Sequence, residues 1–386
     1  MEKDNEKRLE ELKKSVRETD DRILELFRQR MDISKEMAGI KKECGIPGSD
    51  ISYERNRLAE ISKEAGDEYS DYAYSLFSNI MDLGRTVQTS TMTDKTPLEG
   101  EIESAIKNTP ALFPENVIVA CQGVEGAYSQ QACDKLFLKP SIMYFSNFEG
   151  VFSAVANGLC QYGVLPLENS TAGSVNQIYD LMMKYNFFII RSTRLKIDHN
   201  LLVKPGTRKE DIREIYSHEQ ALNQSAEFLK SMKNARPVVC ANTALAAKMV
   251  AESDRNDVAA LSSISCAELY GLKCLEYSVQ DKGNNYTRFI CISKNMEIYP
   301  GADKTSIMMT LPHRPGSLYK VLGRFYALNI NLLKLESRPM PDRDFEFMFY
   351  FDIESSVYSA RFSNIMAQLE EISEEFKYLG SYSEVI

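Results

Sequence analysis

Two polar segments in the middle of the chain carry side chains that could bind an anion and move a proton. Glu168-Asn169-Ser170-Thr171 follows an apolar run that is typical of a buried strand, and Gly173 comes soon after it. Asn285-Tyr286-Thr287-Arg288-Phe289 leads into a second apolar run. Ligand-binding residues concentrate in loops that a rigid scaffold positions, and these side chains are good hydrogen-bonding groups. The two segments therefore predict a polar ligand site.

Two further segments each leave two interpretations open. Residues 216–224 are predicted to join a strand to a helix, and His218 in this segment could be a base or a hydrogen-bonded structural residue. The glycine-containing turn at 123–129 opens another predicted helix, whose N-terminal N–H groups could hold a carboxylate. A plain tight turn is the alternative for residues 123–129.

A pair of cations near the N-terminus predicts a second site. Arg30 occupies an apolar seam position of a predicted helix, where a charge is costly unless it is paired or binds a ligand. Lys41 lies three helical turns further on and is rotated by only about 20° from Arg30. The two cations therefore share one face and could bind a dianion. Lys13 is rotated by about 100°, so it could reach such a pocket only in a partner subunit. A snorkelling Arg30 at a bundle surface is the alternative.

The helices that would position these cations form residues 1–90. Apolar residues alternate in steps of three and four through residues 7–43, which predicts one long helix ending near Gly45 and Pro47. A second helix from about residue 53 and a third over 69–88 would complete a bundle, and the exposed seam predicts a helical dimer. The seam consists of Leu9, Leu12, Val16, Thr19, Ile23, Leu26, Arg30, Ile33, Met37 and Ile40.

The rest of the chain changes pattern twice. Residues 91–115 are rich in Ser, Thr and Pro and predict a linker with one short helix. In residues 116–296 short apolar runs alternate with helical patterns, which predicts a two-lobed α/β domain with a ligand cleft beyond its strand ends. Residues 303–386 follow the order strand–helix–strand–strand–helix–strand, which is typical of a ferredoxin-like module.

Composition excludes several classes of protein. The 386 residues carry a net charge of −9, which argues against nucleic acid as the main partner. No run of apolar residues is long enough for a membrane span, and the charged N-terminus does not resemble a signal peptide. The eight cysteines are scattered without a metal-binding spacing, so we expect free thiols in the cytoplasm, no metal and no cofactor.

Residues 116–296 resemble prephenate dehydratase, because the segments around 168, 217 and 287 occur in this family's order and spacing. The family decarboxylates and dehydrates prephenate to phenylpyruvate. The resemblance implies that Thr287 donates a proton to the leaving hydroxyl and that Arg288 anchors or orients a carboxylate, with Glu168 and Asn169 as further catalytic residues. A proton relay to Thr287 through Glu168 or through water stays open. The resemblance also implies a substrate cleft lined by Ser170, Thr171, Ser217 and Gln224.

Residues 1–90 resemble the all-helical chorismate mutase domain, which rearranges chorismate to prephenate. The resemblance implies catalytic roles for Arg30 and Lys41, which would clamp the substrate and place cations at its ether oxygen. Tyr53 and Gly84 depart from the family pattern, which has Arg and a polar residue at these positions. A vestigial module used only for dimerisation is therefore an alternative. The resemblance implies substrate-binding roles for Lys13, from the partner subunit, and for Asp50, Glu54 and Gln88.

The C-terminal module resembles the ACT regulatory domain, on the strength of two segments. These segments are Pro315-Gly316-Ser317-Leu318 and Glu336-Ser337-Arg338-Pro339. The resemblance implies that both help to enclose phenylalanine between subunits. Gly316 would let the backbone approach the ligand closely. Feedback inhibition by phenylalanine is the implied regulation.

The leading hypothesis is a multidomain α and α/β enzyme of the bifunctional chorismate mutase–prephenate dehydratase family. Its expected small-molecule partners are chorismate, prephenate and the effector L-phenylalanine, and its expected assembly is a homodimer or homotetramer. A monofunctional prephenate or arogenate dehydratase is the alternative within enzymes. A non-catalytic ligand-binding protein on the two-lobed fold is the alternative from another class, although that would leave the Thr-Arg-Phe motif unexplained.

Overall fold

The computed structural model describes residues 2–46, 50–92, 96–340, 343, 346–359 and 362–386. By its internal contacts the chain divides into two compact units. Unit 1 contains residues 1–100 together with 363–371, and unit 2 contains residues 101–362 together with 372–386. The domain limits predicted from the sequence (1–90, 91–115, 116–296 and 303–386) remain a prediction.

The N-terminal helices of unit 1 confirm the helical pattern of the sequence. Ala38, Ile61 and Met81 are buried in this unit, whereas the seam of the first helix stays open, with Leu26 63% exposed. Pro47, where the first helix was predicted to end, lies outside the described residues, and the helix ends at Cys44. The helices are α1 (Glu2–Cys44), α2 (Ile51–Glu64) and α3 (Gly66–Met92). A fourth helix, α4 (Pro97–Asn108), lies within the predicted linker and belongs to unit 2 from Glu101 onward.

The middle of the chain forms two α/β lobes, as predicted. The elements are β1 (Ile118–Gln122), α5 (Tyr128–Leu136), β2 (Ser141–Phe145), α6 (Phe148–Ala156), β3 (Tyr162–Asn169), β4 (Gly173–Ser174), α7 (Asn176–Lys184), β5 (Phe188–Lys196), β6 (Asn200–Val203), a 3₁₀ turn (Lys209–Asp211), β7 (Glu214–His218), α8 (Glu219–Asn223), α9 (Ala226–Ser231), β8 (Arg236–Cys240), α10 (Thr243–Glu252), β9 (Val258–Ser262), α11 (Ile264–Tyr270), β10 (Lys273–Glu276) and β11 (Tyr286–Ser293).

Each lobe is built on its own sheet. In the first lobe the strand order is β5-β11-β3-β1-β2, with β4 paired to β3, and in the second it is β10-β6-β9-β7-β8. β1 runs parallel to β2 and β3, whereas β11 runs antiparallel to β3 and β5. Leu165, Ile189 and Ile290 lie in the core of the first lobe, and Leu202 and Ala260 in that of the second. β11 therefore returns the chain from the second lobe to the centre of the first.

The C-terminal elements have the order and pairing of a ferredoxin-like module, as predicted. Their strand order is β13-β14-β12-β15, and all pairs within this order are antiparallel. The final strand was predicted to be short but has 11 residues. Phe345 and residues 360–361, which were included in the predicted elements, lie outside the described residues. The elements are β12 (Lys304–Thr310), α12 (Ser317–Ala327), β13 (Asn331–Pro339), β14 (Phe347–Glu354), α13 (Phe362–Ile372) and β15 (Glu375–Val385).

One strand joins this module to the first lobe. The end of β15 pairs in parallel with β5, with Ser383 opposite Arg191 and Val385 opposite Thr193. Gly380 makes the approach possible, since its φ is +134° and a Cβ there would lie 2.2 Å from the carbonyl oxygen of Ile189. The module and the first lobe therefore share one continuous sheet.

Candidate active site

The two polar segments lie side by side in the first lobe. Asn169 in β3 is opposite Thr287 in β11, and Glu168 is opposite Arg288. The sequence predicted loops here, but these four residues belong to the strands themselves. Because successive strand residues point to opposite faces of a sheet, Asn169 and Thr287 share one face, and Glu168 and Arg288 share the other.

Asn169 organises the first face. Its Nδ2 donates to Thr287 Oγ1 at 2.9 Å and to Asn285 Oδ1 at 2.8 Å. Its Oδ1 accepts from the Thr171 hydroxyl at 2.7 Å and from the Thr171 backbone N–H at 3.0 Å. Since Thr287 Oγ1 accepts a hydrogen bond from Asn169, its own O–H can be directed at a ligand. Thr287 itself is 9% exposed.

The second lobe completes this network through Gln224. Its Nε2 donates to Thr171 Oγ1 at 2.6 Å, and its Oε1 accepts from Asn285 Nδ2 at 3.0 Å. The Nε2 of His199 lies 2.9 Å from the same Oε1. Burial lowers the pKa of His199, although its hydrogen bond to Gln224 acts in the opposite direction. Gln224 therefore connects the two lobes through its bonds to Thr171 and Asn285, and its third partner is a neutral imidazole.

A cavity of about 490 Å³ opens beside the Asn169–Gln224 network. This volume lies within the usual range of small-molecule sites. The Nδ1 of His218 accepts from Gln220 N at 3.3 Å at the start of α8, so this histidine caps a helix and also faces the cavity. The lining residues are Thr171, Ala172, His218, Glu219, Gln220, Asn223, Gln224, Gln280, Asp281, Lys282 and Asn285.

The other face of the strands holds a buried ion network. Arg288 is 6% exposed and forms an ion pair with the fully buried Asp352. Its Nε lies 3.0 Å from Glu168 Oε1, and Glu168 Oε2 lies 2.8 Å from Lys334 Nζ. Burial disfavours the charge on Arg288, but the carboxylate of Asp352 raises its pKa well above the ordinary value. The guanidinium is thus held by the protein's own carboxylates.

The side chains of Arg288 and Glu168 lie on the opposite face of the sheet from Thr287. Strand alternation directs Arg288 away from Thr287 and toward Asp352. The role of Arg288 as a carboxylate anchor and the relay through Glu168, which the sequence left open beside a relay through water, stay predictions. Both residues line a second cavity of about 700 Å³ together with Asn169 and Ser170.

Two predicted cleft residues have structural roles instead. Ser217 is fully buried and donates to the carbonyl oxygen of Leu261 at 2.7 Å, so this structure gives its predicted contact with substrate no support. Ser170 donates to the carbonyl oxygen of Asn284 at 3.0 Å and accepts from the N–H of Tyr286 at 2.9 Å. These bonds fix the turn that enters β11.

The glycine-containing turn at 123–129 packs on the second lobe. Tyr270 donates to the carbonyl oxygen of Glu125 at 2.6 Å, and a Cβ on Gly126 would lie 2.9 Å from Cys266 Sγ. Gly126 therefore serves close packing between the lobes, since any larger residue would clash there. Of the two interpretations that the sequence left open, the structure favours the tight turn.

In unit 1, three predicted mutase residues, Arg30, Lys41 and Gln88, lie along one stripe between α1 and α3. Arg30 Nη1 donates to Ser34 Oγ at 2.6 Å, and a Cβ on Gly84 would lie 3.5 Å from this Nη1. Lys41 Nζ donates to Gln88 Oε1 at 3.2 Å. Gly84 and Gln88 are four residues apart on α3. Arg30 and Lys41 therefore lie next to adjacent turns of α3.

The remaining predicted mutase residues are engaged by groups of their own chain. Glu54 forms an ion pair with Arg85 at 2.7 Å, and Arg85 also pairs with Asp82. Asp50 accepts from the N–H of Tyr53 at 3.0 Å and thereby caps α2. The exposed Lys13 pairs with Glu10 at 2.7 Å, and its role in a partner subunit stays a prediction. Sequence reasoning missed Arg85, which lies beside Gly84.

Two family models match the chain. Residues 119–297 match prephenate dehydratase, and residues 12–89 match chorismate mutase type II. "Arogenate dehydratase 2" of Petunia hybrida is 35% identical over 303 residues, which cover 74% of this chain and 76% of that protein. The chain belongs to the prephenate dehydratase family. The predicted combination of a chorismate mutase domain with a prephenate dehydratase domain in one enzyme is thereby confirmed.

Two other members of the prephenate dehydratase family extend the comparison. The bifunctional chorismate mutase/prephenate dehydratase of Escherichia coli (strain K12) is 28% identical over 380 residues, which cover 96% of this chain and 95% of that protein. The crystal structure of prephenate dehydratase in complex with L-Phe from Arthrobacter aurescens is 28% identical, with a TM-score of 0.64. The matched region covers 69% of this chain and 90% of the Arthrobacter aurescens chain. Among the described residues, no helix combines the length and apolar character needed to span a membrane.

The C-terminal module of this dehydratase has a third cavity, of about 350 Å³. Pro315, Ser317, Leu318 and Phe349 are among its lining residues, and Gly316 adopts a left-handed φ of +85° at the start of α12. Ser337 is opposite Phe349 in the neighbouring strand, and Pro339 is opposite Phe347, so both lie on the face of the sheet that carries these rings. The cavity is the candidate effector site.

Two residues predicted for this effector site point the other way. Glu336 accepts a hydrogen bond from Ser174 of the first lobe at 2.5 Å. Arg338 donates from Nε and Nη2 to Asp180 of α7 at 2.9 and 3.1 Å. Alternate residues of β13 face opposite sides, so Glu336 and Arg338 are directed at the first lobe, and their contact with phenylalanine stays a prediction.

Proposed function

We propose that this enzyme converts prephenate to phenylpyruvate in the cavity lined by Thr171, Gln224 and Asn285, whose side chains are hydrogen-bonded in one network with Asn169 and through it with Thr287. The observation that supports this site is the hydrogen bond from Asn169 Nδ2 to Thr287 Oγ1, which leaves the threonine proton for the leaving group. Lys282 and the helix cap at His218 line this cavity together with the carboxylates of Glu219 and Asp281. Asp281 already accepts from the N–H groups of Ala226 and Glu227, so Lys282 is available as a cationic partner for a dicarboxylate.

The proposed reaction loses two groups from one ring. The ring carboxylate departs as carbon dioxide, and the bond between the ring and its hydroxyl breaks at the same time, leaving an aromatic ring. Thr287 protonates the departing hydroxide to water and recovers its proton from solvent. A threonine hydroxyl is a weak acid, and the bond from Asn169 helps by stabilising the negative charge that develops on Oγ1.

A coupled assay tests this proposal. The purified chain is given prephenate, and phenylpyruvate is followed for the wild type and for Asn169→Ala. Loss of turnover in the variant, with chorismate consumption retained, supports the site. Equal turnover in both proteins would show that the reaction occurs elsewhere.

In unit 1 we infer that the Arg30–Lys41 stripe binds chorismate. A rearrangement of a single substrate needs no nucleophile and no proton transfer, so cations that hold a compact dicarboxylate are sufficient. The side chains of Arg30 and Lys41 address adjacent turns of α3, with Gln88 between Lys41 and the substrate position. Lys13 would come from a partner subunit, because the seam of α1 is open for a second copy.

Regulation by L-phenylalanine is proposed for the cavity at Pro315–Leu318. The related Arthrobacter aurescens structure is a complex with L-Phe, and the present cavity combines aromatic rings with a glycine turn. The open face of β13, where Leu335 is 38% exposed, supports an effector site at an interface between subunits. A homodimer or homotetramer in the cytoplasm is the proposed state, and the eight free cysteines suit a reducing compartment.

Arogenate is a second candidate substrate. The Petunia hybrida relative is named as an arogenate dehydratase, and arogenate carries an ammonium where prephenate carries a carbonyl. Glu219 lines the active-site cavity and could pair with such a group. Comparing kcat/KM for the two substrates, with Glu219→Gln as the variant, would identify the preferred one. A loss confined to arogenate would favour this second function.

A further inference from the structure

The edge strand of the C-terminal module presents three charged residues to the first lobe. Lys334, Glu336 and Arg338 alternate along β13 and are all largely buried, whereas the residues between them are exposed. Lys334 Nζ lies 2.8 Å from Glu168 Oε2 and donates to Ser174 Oγ at 2.7 Å. Lys334 thus contacts both ends of the polar segment 168–174.

Asp352, in β14 of the module, contacts β11, the second strand of the proposed active site. Asp352 accepts from Ser306 and pairs with Arg288, and its side chain is completely buried. An ion in such an environment is tolerated only when it is paired and hydrogen-bonded. Asp352 therefore constrains the position of Arg288, just as Lys334 constrains that of Glu168.

We propose that Lys334 and Asp352 are positioning residues of the dehydratase site. Glu168 and Arg288 are the chain neighbours of Asn169 and Thr287. A shift of either charged side chain moves the backbone that carries the proposed reacting pair on the other face. Displacements of about 1 Å are enough to cost on the order of a hundredfold in rate. The inference rests on the proposed roles of Asn169 and Thr287.

The same arrangement gives the effector a path to the reaction. Ser337 lies on the cavity face of β13, and Lys334 lies on the face that contacts the first lobe. An effector that displaces this strand must change the contact between Lys334 and Glu168. Inhibition then acts on proton donation by Thr287, and the binding pocket for prephenate need not be blocked.

The test compares Lys334→Met with Lys334→Arg in the full chain. We expect Lys334→Met to lower the dehydratase kcat by about tenfold to a hundredfold with little change in KM, and Lys334→Arg to retain most of it. Lys377→Met is the matched control. Lys377 is another lysine of the module that contacts the first lobe, through the carbonyl oxygens of Met182 and Tyr185. Its replacement should leave kcat within about twofold, and the urea midpoint of each variant reports the folding of the unit that carries the substitution.

A double variant shows whether Lys334 acts through Glu168. If it does, Glu168→Gln combined with Lys334→Met is no slower than Glu168→Gln alone, because the two substitutions remove the same contact. Additive losses would overturn the proposal. So would an unchanged kcat in Lys334→Met, or equal losses in Lys334→Met and Lys377→Met, which would indicate a general docking effect.

The outcomes also separate this inference from the proposed function. If Asn169→Ala and Thr287→Ala keep full turnover, the assigned reaction site is wrong. If both of these variants are inactive while Lys334→Met is not impaired, only the positioning role is wrong. Asp352→Asn is a weaker test, since it removes a partner of a buried cation and can unfold the chain.

Discussion

Thr287 Oγ1 accepts a hydrogen bond from Asn169 Nδ2 across two antiparallel strands, at 2.9 Å. The hydroxyl is therefore oriented by the protein before substrate arrives. We expect Thr287→Ala to lower dehydratase turnover by about 10²–10⁴-fold, the usual value of a positioned acid, while Thr287→Ser keeps part of it. Phenylpyruvate formation measures the loss, and chorismate consumption by the same samples is the control. Turnover near the wild-type level in Thr287→Ala would reject the role of this hydroxyl.

Arg288 should be a residue of stability more than of substrate affinity. Replacement by Met leaves Asp352 completely buried without its cation, which typically costs about 3–5 kcal/mol. Urea denaturation of Arg288→Met should therefore show a markedly lower midpoint. A variant of normal stability with a strongly raised KM for prephenate would instead support the anchoring role that the sequence predicted.

His199 should make the stability of the two-lobed unit depend on pH. Burial lowers the pKa of the native imidazole, whereas the unfolded chain binds a proton near 6.5. As the pH falls through 6.5, the unfolded chain gains a proton that the native state does not, so stability decreases by up to about 1.4 kcal/mol per pH unit. Below the lowered native pKa this decrease stops.

The replacement His199→Gln tests this contribution. Urea denaturation between pH 7.5 and 5 should give a flatter stability profile for the variant than for the wild type. Identical profiles would mean that His199 is not responsible for the slope.

The chorismate mutase activity should depend on Arg30. Arg30→Met removes the cation that lies next to Gly84 on the α1–α3 stripe. We expect chorismate consumption to fall by at least about a hundredfold, as for other residues that stabilise charge in a transition state, while prephenate turnover is unchanged. A wild-type chain that turns over prephenate but not chorismate would show that unit 1 is vestigial.

Phenylalanine inhibition should respond differently to the two faces of β13. Ser337→Val changes the cavity face and should raise the phenylalanine concentration needed for half-inhibition by about tenfold, with basal dehydratase activity retained. Dose–response curves measure the shift. If inhibition of Ser337→Val matches that of the wild type, the effector binds at another place.

The fold was predictable because its signals are local. The heptad seam of α1 and the strand–helix alternation of the lobes follow from periodicities of neighbouring residues. The ends of β3 and β11 were not predictable in this way. Asn169 becomes a strand residue through pairing with a segment 118 positions away, and only this pairing separates Glu168 and Arg288 from Thr287.

Two residues that the sequence analysis missed, Asp352 and Lys334, are marked by their neighbours in the sequence. Asp352 stands between two apolar neighbours, Phe351 and Ile353, in a predicted strand, and a carboxylate there must have a buried partner. Lys334 begins a row of charges with a period of two that continues through Glu336 and Arg338. Such a row indicates that one face of the strand docks on something polar. The identity of the partner required the tertiary structure.

The parallel pairing of β15 with β5 has a practical consequence for engineering. Removal of the C-terminal residues would leave the backbone N–H and C=O groups of β5 without their neighbour. An exposed edge strand of this kind can pair with other chains and cause aggregation. An enzyme freed from inhibition by its end product is therefore better sought through point substitutions in the cavity at Pro315–Leu318, which we propose for phenylalanine, than through truncation.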